Sequence, residues 1–327
     1  MAWSAADIPD LKGKIAVVTG GNSGLGYETA LELAVHGAQT IIACRDAAKA
    51  TRTLEQIRSG RPKVNVEAMS LDLASLASIR AFSTDFHDRF KKLDLLVNNA
   101  GVMAIPRRNT ADGFEMQFGT NHLGHFALTG LLLDRVVASG IGRIVNVSSM
   151  VHKFGRMQFD DLQGDKRYRK WAAYGQSKLA NLLFTSELQK RLEAAGLPVI
   201  SAAAHPGYAA TNLQAAGPTQ SGSWLGALMA RIGNSLFAQS AAMGALPTLY
   251  AATARDVKGN EYFGPSGLFE QRGPPKRVGR SLAAQSAADA RTLWERSVIL
   301  TGVSYYLLPK PAELPPAPEA KKEKKSA

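Results

Sequence analysis

Short runs of β-branched and leucine-rich residues alternate with stretches of helical spacing along the first two hundred positions. Residues 15–18, 40–43, 64–68 and 93–97 are continuous apolar or alternating runs suited to buried strands. Each is followed by a stretch of helical spacing, at 25–36, 47–59, 75–90 and 114–138. Two more strands, 143–147 and 199–203, flank a long helix over 173–194. Strand and helix alternating in this way imply an α/β fold: a doubly wound parallel sheet with right-handed crossovers, in three αβα layers. No linker interrupts the pattern, so residues 1–308 are expected to form a single domain. After residue 204 the signal loosens, and 212–254 reads either as a substrate lid or as helices that cover the core. Residues 309–327, rich in Pro, Ala and Lys, cannot bury apolar surface and are expected to be disordered.

Composition narrows the chemistry. A chain of 327 residues, 45% of them hydrophobic, is long enough for a full core, and its one cysteine, Cys44, rules out an intrachain disulfide. A reducing, cytoplasmic setting is expected. Residues 1–14 lack the pattern of a cleaved leader, and the most lipophilic stretch, 224–254, is broken by Arg231, Asn234 and Pro247, so no membrane span is expected. The net charge of +12 raises nucleic acid as a partner, but the basic residues are scattered and form no stripe, which argues against it.

Between the first strand and the first helix stands Thr19-Gly20-Gly21-Asn22-Ser23-Gly24-Leu25-Gly26. Glycines there let the chain turn sharply and bring backbone N–H groups to a pyrophosphate, whose charge the helix N-terminus favours. The spacing of Gly20, Gly24 and Gly26 departs from G-x-G-x-x-G. It resembles instead the cofactor turn of the short-chain dehydrogenase/reductase family, and other signatures of that family follow in order: Asp72, Asn98-Asn99-Ala100-Gly101, Asn121, Ser148-Ser149, Tyr174-x-x-x-Lys178 and Pro206-Gly207. Together they span residues 14–211. Ala43-Cys44-Arg45-Asp46, Asn121-His122-Leu123-Gly124-His125-Phe126 and Ser177-Lys178-Leu179-Ala180-Asn181 are similar to the retinol dehydrogenase and WW-domain oxidoreductase branch.

The resemblance implies a Rossmann-type domain that binds a nicotinamide dinucleotide. Gly20, Asn22, Ser23, Gly24, Leu25 and Gly26 would hold the phosphates, and Asn99, Ala100, Gly101, Pro206, Gly207 and Thr211 would line the nicotinamide side, although Thr211 also fits a helix cap. Asp72, with Leu73 beside it, would meet the adenine amine, or would merely satisfy backbone donors at the start of the next helix. An enzyme specific for NAD needs a carboxylate at the end of the second strand. Here Cys44 stands there, followed by Arg45, a cation placed to pair with a 2′-phosphate, so NADP(H) is the expected cofactor. A solvated arginine beside Asp46 is the alternative.

Tyr174 and Lys178 are four apart on an expected helix and so share one face. A phenol of pKa about 10 is a poor proton donor and acceptor near neutrality, and an adjacent ammonium is expected to lower that value. The resemblance implies that Tyr174 is the general acid or base, that Lys178 assists it and holds the nicotinamide ribose, and that Ser149 positions the substrate oxygen. It also implies that Asn121 bends its helix and holds a water linking Lys178 to solvent; an ordinary buried asparagine is the competing view. His122 and His125, three apart with no accompanying Glu, suggest packing, and no metal is expected. His205 is assigned to the Pro-Gly turn. The expected activity interconverts a small hydrophobic carbonyl and its alcohol, the apolar character resting on Trp224, Leu225, Leu228, Met229, Leu236 and Phe237. A non-catalytic NADP(H)-binding scaffold or sensor is the alternative. Family precedent offers a homodimer or homotetramer built through the helices that carry Asn121 and Tyr174.

Overall fold

A computed structural model describes residues 2–208 and 239–309 of the chain. Thr211, the 212–238 part of the expected lid with its lipophilic side chains, and residues 310–327 lie outside the described residues. Within them an eight-stranded sheet has the order β3-β2-β1-β4-β5-β6-β7-β8. Its strands are β1 (Ile15–Thr19), β2 (Gln39–Cys44), β3 (Val66–Ser70), β4 (Leu95–Asn98), β5 (Arg143–Val147), β6 (Ile200–Ala204), β7 (Tyr262–Pro265) and β8 (Pro275–Arg277). All neighbours pair in parallel except β7 and β8, which run antiparallel at one edge. The chain order reverses between β1 and β4, and that switch point opens a crevice at the carboxyl ends of the strands.

Helices α1 (Gly24–Val35), α2 (Ala47–Gly60), α3 (Leu76–Arg89), the single turn α4 (Met116–Phe118), α5 (Gly124–Val137), α6 (Lys170–Ala194), α7 (Ala241–Thr253) and α8 (Ala287–Thr301) cover the two faces. Strand side chains alternate between them. Val17 and Ile41 pack with Phe86, Phe126, Phe184 and Trp294 on one face, while Val18 and Ile42 pack with Leu33, Ile57 and Leu249 on the other. Leu249 belongs to α7, so the described part of 212–254 is a helix that covers the core and leans on α1. β7, β8 and α8 were not anticipated from the sequence.

The expected helix over 114–138 is interrupted. A π-helical stretch, Gly119–Leu123, separates α4 from α5 and widens the backbone around Asn121. The cause is remote bonding: the Asn121 amide accepts from Val102 N–H (2.8 Å) and donates to the Val102 carbonyl and to Ser177 Oγ (2.9 Å each). The expected strand at 64–68 is also displaced, because pairing with β2 sets Thr40 opposite Val66. Helix α8 and the segment to Leu308 of the same chain pack on α5 and α6, the helices that family precedent offers for self-association: Trp294 and Tyr305 both meet the Phe126 ring, and Tyr305 donates to the Phe126 carbonyl. Among the described residues no helix is long and apolar enough to cross a membrane.

Candidate active site

Thr19, Asn98, Val147 and Ala204 end four adjacent strands, and the loops that follow them hold most of the residues singled out in the sequence. After β1, Gly20 takes a left-handed φ of +65°, and a side chain at Gly26 would strike the Gly20 carbonyl. The turn is therefore drawn tight under the N-terminus of α1, whose leading N–H groups lack partners one helical turn back. Ser23 occupies the capping position with its side chain unspent on a cap and exposed. Such a cradle of free N–H groups and an available hydroxyl fits a pyrophosphate.

At the end of β2, Arg45 stands exposed with no ion pair among the described residues, while Asp46 is engaged elsewhere: it caps α2 by accepting from Lys49 N–H at 2.9 Å. Cys44 is buried and its thiol is pushed up by desolvation. Asp72 accepts from Ala74 N–H through Oδ1 (2.9 Å), the local backbone role, and Leu73 is buried against the start of α5. Asn99 donates to the Thr19 carbonyl through its side chain (2.8 Å), and the backbone N–H groups of Asn99 and Ala100 both donate to Thr19 Oγ1 (2.9 Å each). A Cβ at Gly101 would come within 2.9 Å of Asn121 Oδ1 and 3.6 Å of Lys178 Nζ, so the bare backbone lets these groups converge.

Tyr174 and Lys178 lie together on α6, with Nζ 5.8 Å from the phenol ring centre and beside Gly101 of the loop that follows β4. Both are buried, and Ser149 stands beside the Tyr174 phenol, where its hydroxyl favours the ionised form against the larger effect of burial. Lys178 Nζ donates to the Val147 carbonyl at 3.0 Å, which also accepts from Asn181 at 3.1 Å. Ser148 is occupied otherwise, donating to the Lys178 carbonyl at 2.8 Å. On one point the expectation is corrected: the Tyr174 phenol is not lowered. Burial pushes it up to about 12, and the same desolvation brings Lys178 down to about 8. Residue spacing alone could not show that both groups leave water together.

Behind the turn after β6, Gly207 N–H donates to His205 Nδ1 (3.2 Å), and the opposite nitrogen, Nε2, lies 3.2 Å from Glu270. Glu270, held at about 2 chiefly by the histidine, also meets Lys153 on the turn that follows Ser149. It thus ties together the segments that carry Ser149 and Pro206-Gly207. Glu270 and Tyr262, a buried phenol beside His205, escaped the sequence reading because their elements were not foreseen.

Burial also holds several histidines neutral: His122 falls to about 3, and His125 and His152 to about 4. The unfolded chain, with imidazoles near 6.5, then binds more protons than the native one between those values. Stability is fully present above pH 6.5 and is lost as pH falls toward 4, at roughly 1 kcal/mol per pH unit for each such histidine. Thermal melts between pH 7 and 4 should show a progressive fall in Tm; a Tm constant to pH 4.5 would contradict the neutral assignment.

Comparison with known proteins places this geometry. The short chain dehydrogenase family profile matches residues 14–221. Retinol dehydrogenase 12 of Mus musculus is 43% identical over 297 residues, covering 90% of this chain and 88% of its own length. The crystal structure of an uncharacterised protein from Mycobacterium paratuberculosis shares 45% identity and superposes with a TM-score of 0.76 over 93% of this chain and 99% of that one. A protein from Beutenbergia cavernae, described as an NAD(P)-dependent gluconate 5-dehydrogenase and containing NADP at low occupancy, is 28% identical with a TM-score of 0.56, over 75% of this chain and 91% of its own.

Proposed function

Because the chain belongs to the short-chain dehydrogenase/reductase family, in its retinol dehydrogenase branch, we propose that this oxidoreductase uses NADP(H) to interconvert a hydrophobic carbonyl and its alcohol. The observation that carries the proposal is the buried Tyr174–Lys178 pair, with Ser149 beside the phenol and the bare backbone of Gly101 beside Nζ. Bound with its phosphates at the Gly20–Gly26 turn, the reduced dinucleotide would supply a hydride. The chain's own groups handle the oxygen. Ser149 holds the substrate oxygen, and Tyr174, uncharged at neutral pH, gives it a proton. Lys178, still largely an ammonium at pH 7, stabilises the phenolate that results. Asn121 fixes the backbone at Val102 and reaches Ser177, the neighbour of Lys178. Asp72 retains Oδ2 for an adenine amine, and Asn99, Ala100, Gly101, Pro206, Gly207 and Thr211 serve the nicotinamide side. An apolar substrate is favoured by Phe154 and Trp171, which stand exposed on the segments that lead from Ser149 and into Tyr174. The names of the relatives point the same way. The lone buried thiol suits the cytoplasm.

Cofactor choice rests on Arg45. Arg45→Asp removes a charge-assisted contact worth about 1.5–3 kcal/mol and adds repulsion, so NADPH should bind about 10- to 100-fold more weakly, with NADH gaining ground. Titration of both dinucleotides reads this directly; a variant that keeps the parent affinity for NADPH overturns the assignment. The activity itself is tested by NADPH consumption with a panel of lipophilic aldehydes and ketones, and turnover of none of them despite tight NADPH binding would sink the enzymatic reading.

A further inference from the structure

Between the cofactor wall and the catalytic helices lies a histidine to which the mechanism assigns no task. His125 is 2% exposed, and both of its ring nitrogens are bonded. Nδ1 lies 3.0 Å from the Asn121 carbonyl and Nε2 lies 2.9 Å from Thr19 Oγ1. A carbonyl only accepts, so Nδ1 carries the hydrogen and donates it. Nε2 is then bare and must accept. Thr19 has one hydroxyl hydrogen, and its Oγ1 already accepts from Asn99 and Ala100 N–H. The Val97 carbonyl, at 3.3 Å, is the more distant recipient of that hydrogen, so His125 Nε2 takes it. A neutral ring is required throughout, and burial keeps it so.

We propose that His125 is a positioning residue that couples the dinucleotide wall to the catalytic pair, by bridging Thr19 and the Asn121 carbonyl in a fixed Nδ1–H tautomer. The bonds continue on each side. Asn99 and Ala100 N–H groups end on Thr19, and Thr19 ends on His125. From Asn121, at the centre of the π-helical stretch, the side chain donates to Ser177 Oγ (2.9 Å), which donates to the Tyr174 carbonyl (2.8 Å). A displacement of the Asn99–Ala100 backbone on dinucleotide binding is therefore transmitted to the segment 174–178 through polar contacts that cannot be left unmade in a buried site. Plain packing does not account for the arrangement. His122, one turn earlier, is the contrast: its ring lies among Phe118, Phe126 and Phe184, its Nε2 meets Ser297 Oγ at 2.9 Å, and its Nδ1 has no hydrogen-bond partner among the described residues, so it bridges nothing. The titratable groups beside His125 are Lys178, whose charge disfavours its protonation, and His122.

This inference rests on the proposed function, and its test is arranged so that the two fail separately. Asparagine at 125 sets an amide near Nδ1 and keeps the bond to Asn121, whereas glutamine reaches the place of Nε2 and keeps only the bond to Thr19. His125→Gln should lower kcat about 10- to 100-fold, as expected for a small misplacement of reacting groups, with NADPH affinity within about threefold of the parent. His125→Asn, which breaks the same bridge at Thr19, should lower kcat by a comparable factor. Either variant keeping kcat within about threefold of the parent, or losing activity only together with cooperative melting, overturns the proposal. Nitrogen-15 NMR of labelled histidine gives a readout that needs no turnover: His125 should be the Nδ1–H tautomer from pH 6 to 8, and its shifts should move when NADPH is added. An Nε2–H tautomer, or shifts indifferent to NADPH, also overturns it. If the parent consumes no carbonyl while the NMR behaves as described, the catalytic reading fails and the coupling stands.

Discussion

Tyr174→Phe should reduce kcat for carbonyl reduction by about 10³-fold while leaving NADPH affinity and Tm close to those of the parent. Only the hydroxyl is removed. The ring keeps its edge contact with Trp171 and its place near Lys178, and its burial is carried by carbon atoms that phenylalanine retains. The loss is therefore chemical, since the substrate oxygen no longer has a proton donor in reach. The effect should fall on kcat and spare KM, because the hydroxyl acts chiefly where charge develops on the oxygen. Steady-state rates of the purified variant, with cooperative melting as the control, decide the matter; a variant within tenfold of the parent removes Tyr174 from the proton step.

The second large effect is on stability and lies at the other end of the same helix. Arg191 on α6 pairs with Glu187 at 2.7 Å, its guanidinium lies 4.4 Å over the Trp294 ring of α8, and Nη1 donates to the Pro309 carbonyl at 3.1 Å. The two charged side chains are 2% and 3% exposed. Glu187→Gln keeps the size of the side chain but leaves a buried cation unpaired, which should cost about 3–5 kcal/mol. Replacing both partners, Glu187→Leu with Arg191→Met, should restore most of that loss, because neither desolvated charge remains. Urea melts of the two proteins provide the comparison. A single variant with unchanged stability, or a double variant less stable than the single one, contradicts a desolvated pair. The pair also bears on the site, since it fastens α8 to the helix that presents Tyr174 and Lys178 to the crevice.

The parts of the fold that were legible in the residues are those whose signal is local. β1, β2, β5 and β6 are buried on both faces and appear as short apolar runs, and the glycine turn announces itself by spacing. What was missed depends on partners distant in the chain. Tyr262–Pro265 is four residues long with a glycine and a proline, and it is a strand only because β6 and β8 lie on either side of it. The π-helical stretch follows from Asn121 bonding Val102 and Ser177, contacts that no periodicity encodes. α8 did carry a cue: Ser286, three residues before Asp289, is a capping signature, and its hydroxyl accepts from Asp289 N–H. At the candidate site, the spacing of Tyr174 and Lys178 gave their shared face, whereas the direction of the phenol's shift required knowing its burial. His125 reads as packing in the sequence because a histidine's two bonds, to β1 and to the turn before it, leave no trace in sequence order.

Proton delivery by a neutral phenol beside a lysine ammonium is tested most directly by the pH dependence of kcat for carbonyl reduction at saturating NADPH. Tyr174 stays protonated up to about 12, so the limb belongs to Lys178, whose ammonium is lost as pH rises through about 8. The rate should hold level between pH 6 and 7.5 and fall above about 8, with Lys178→Arg moving the limb upward. A rate that is level to pH 10, or a limb that Lys178→Arg leaves in place, contradicts the assignment.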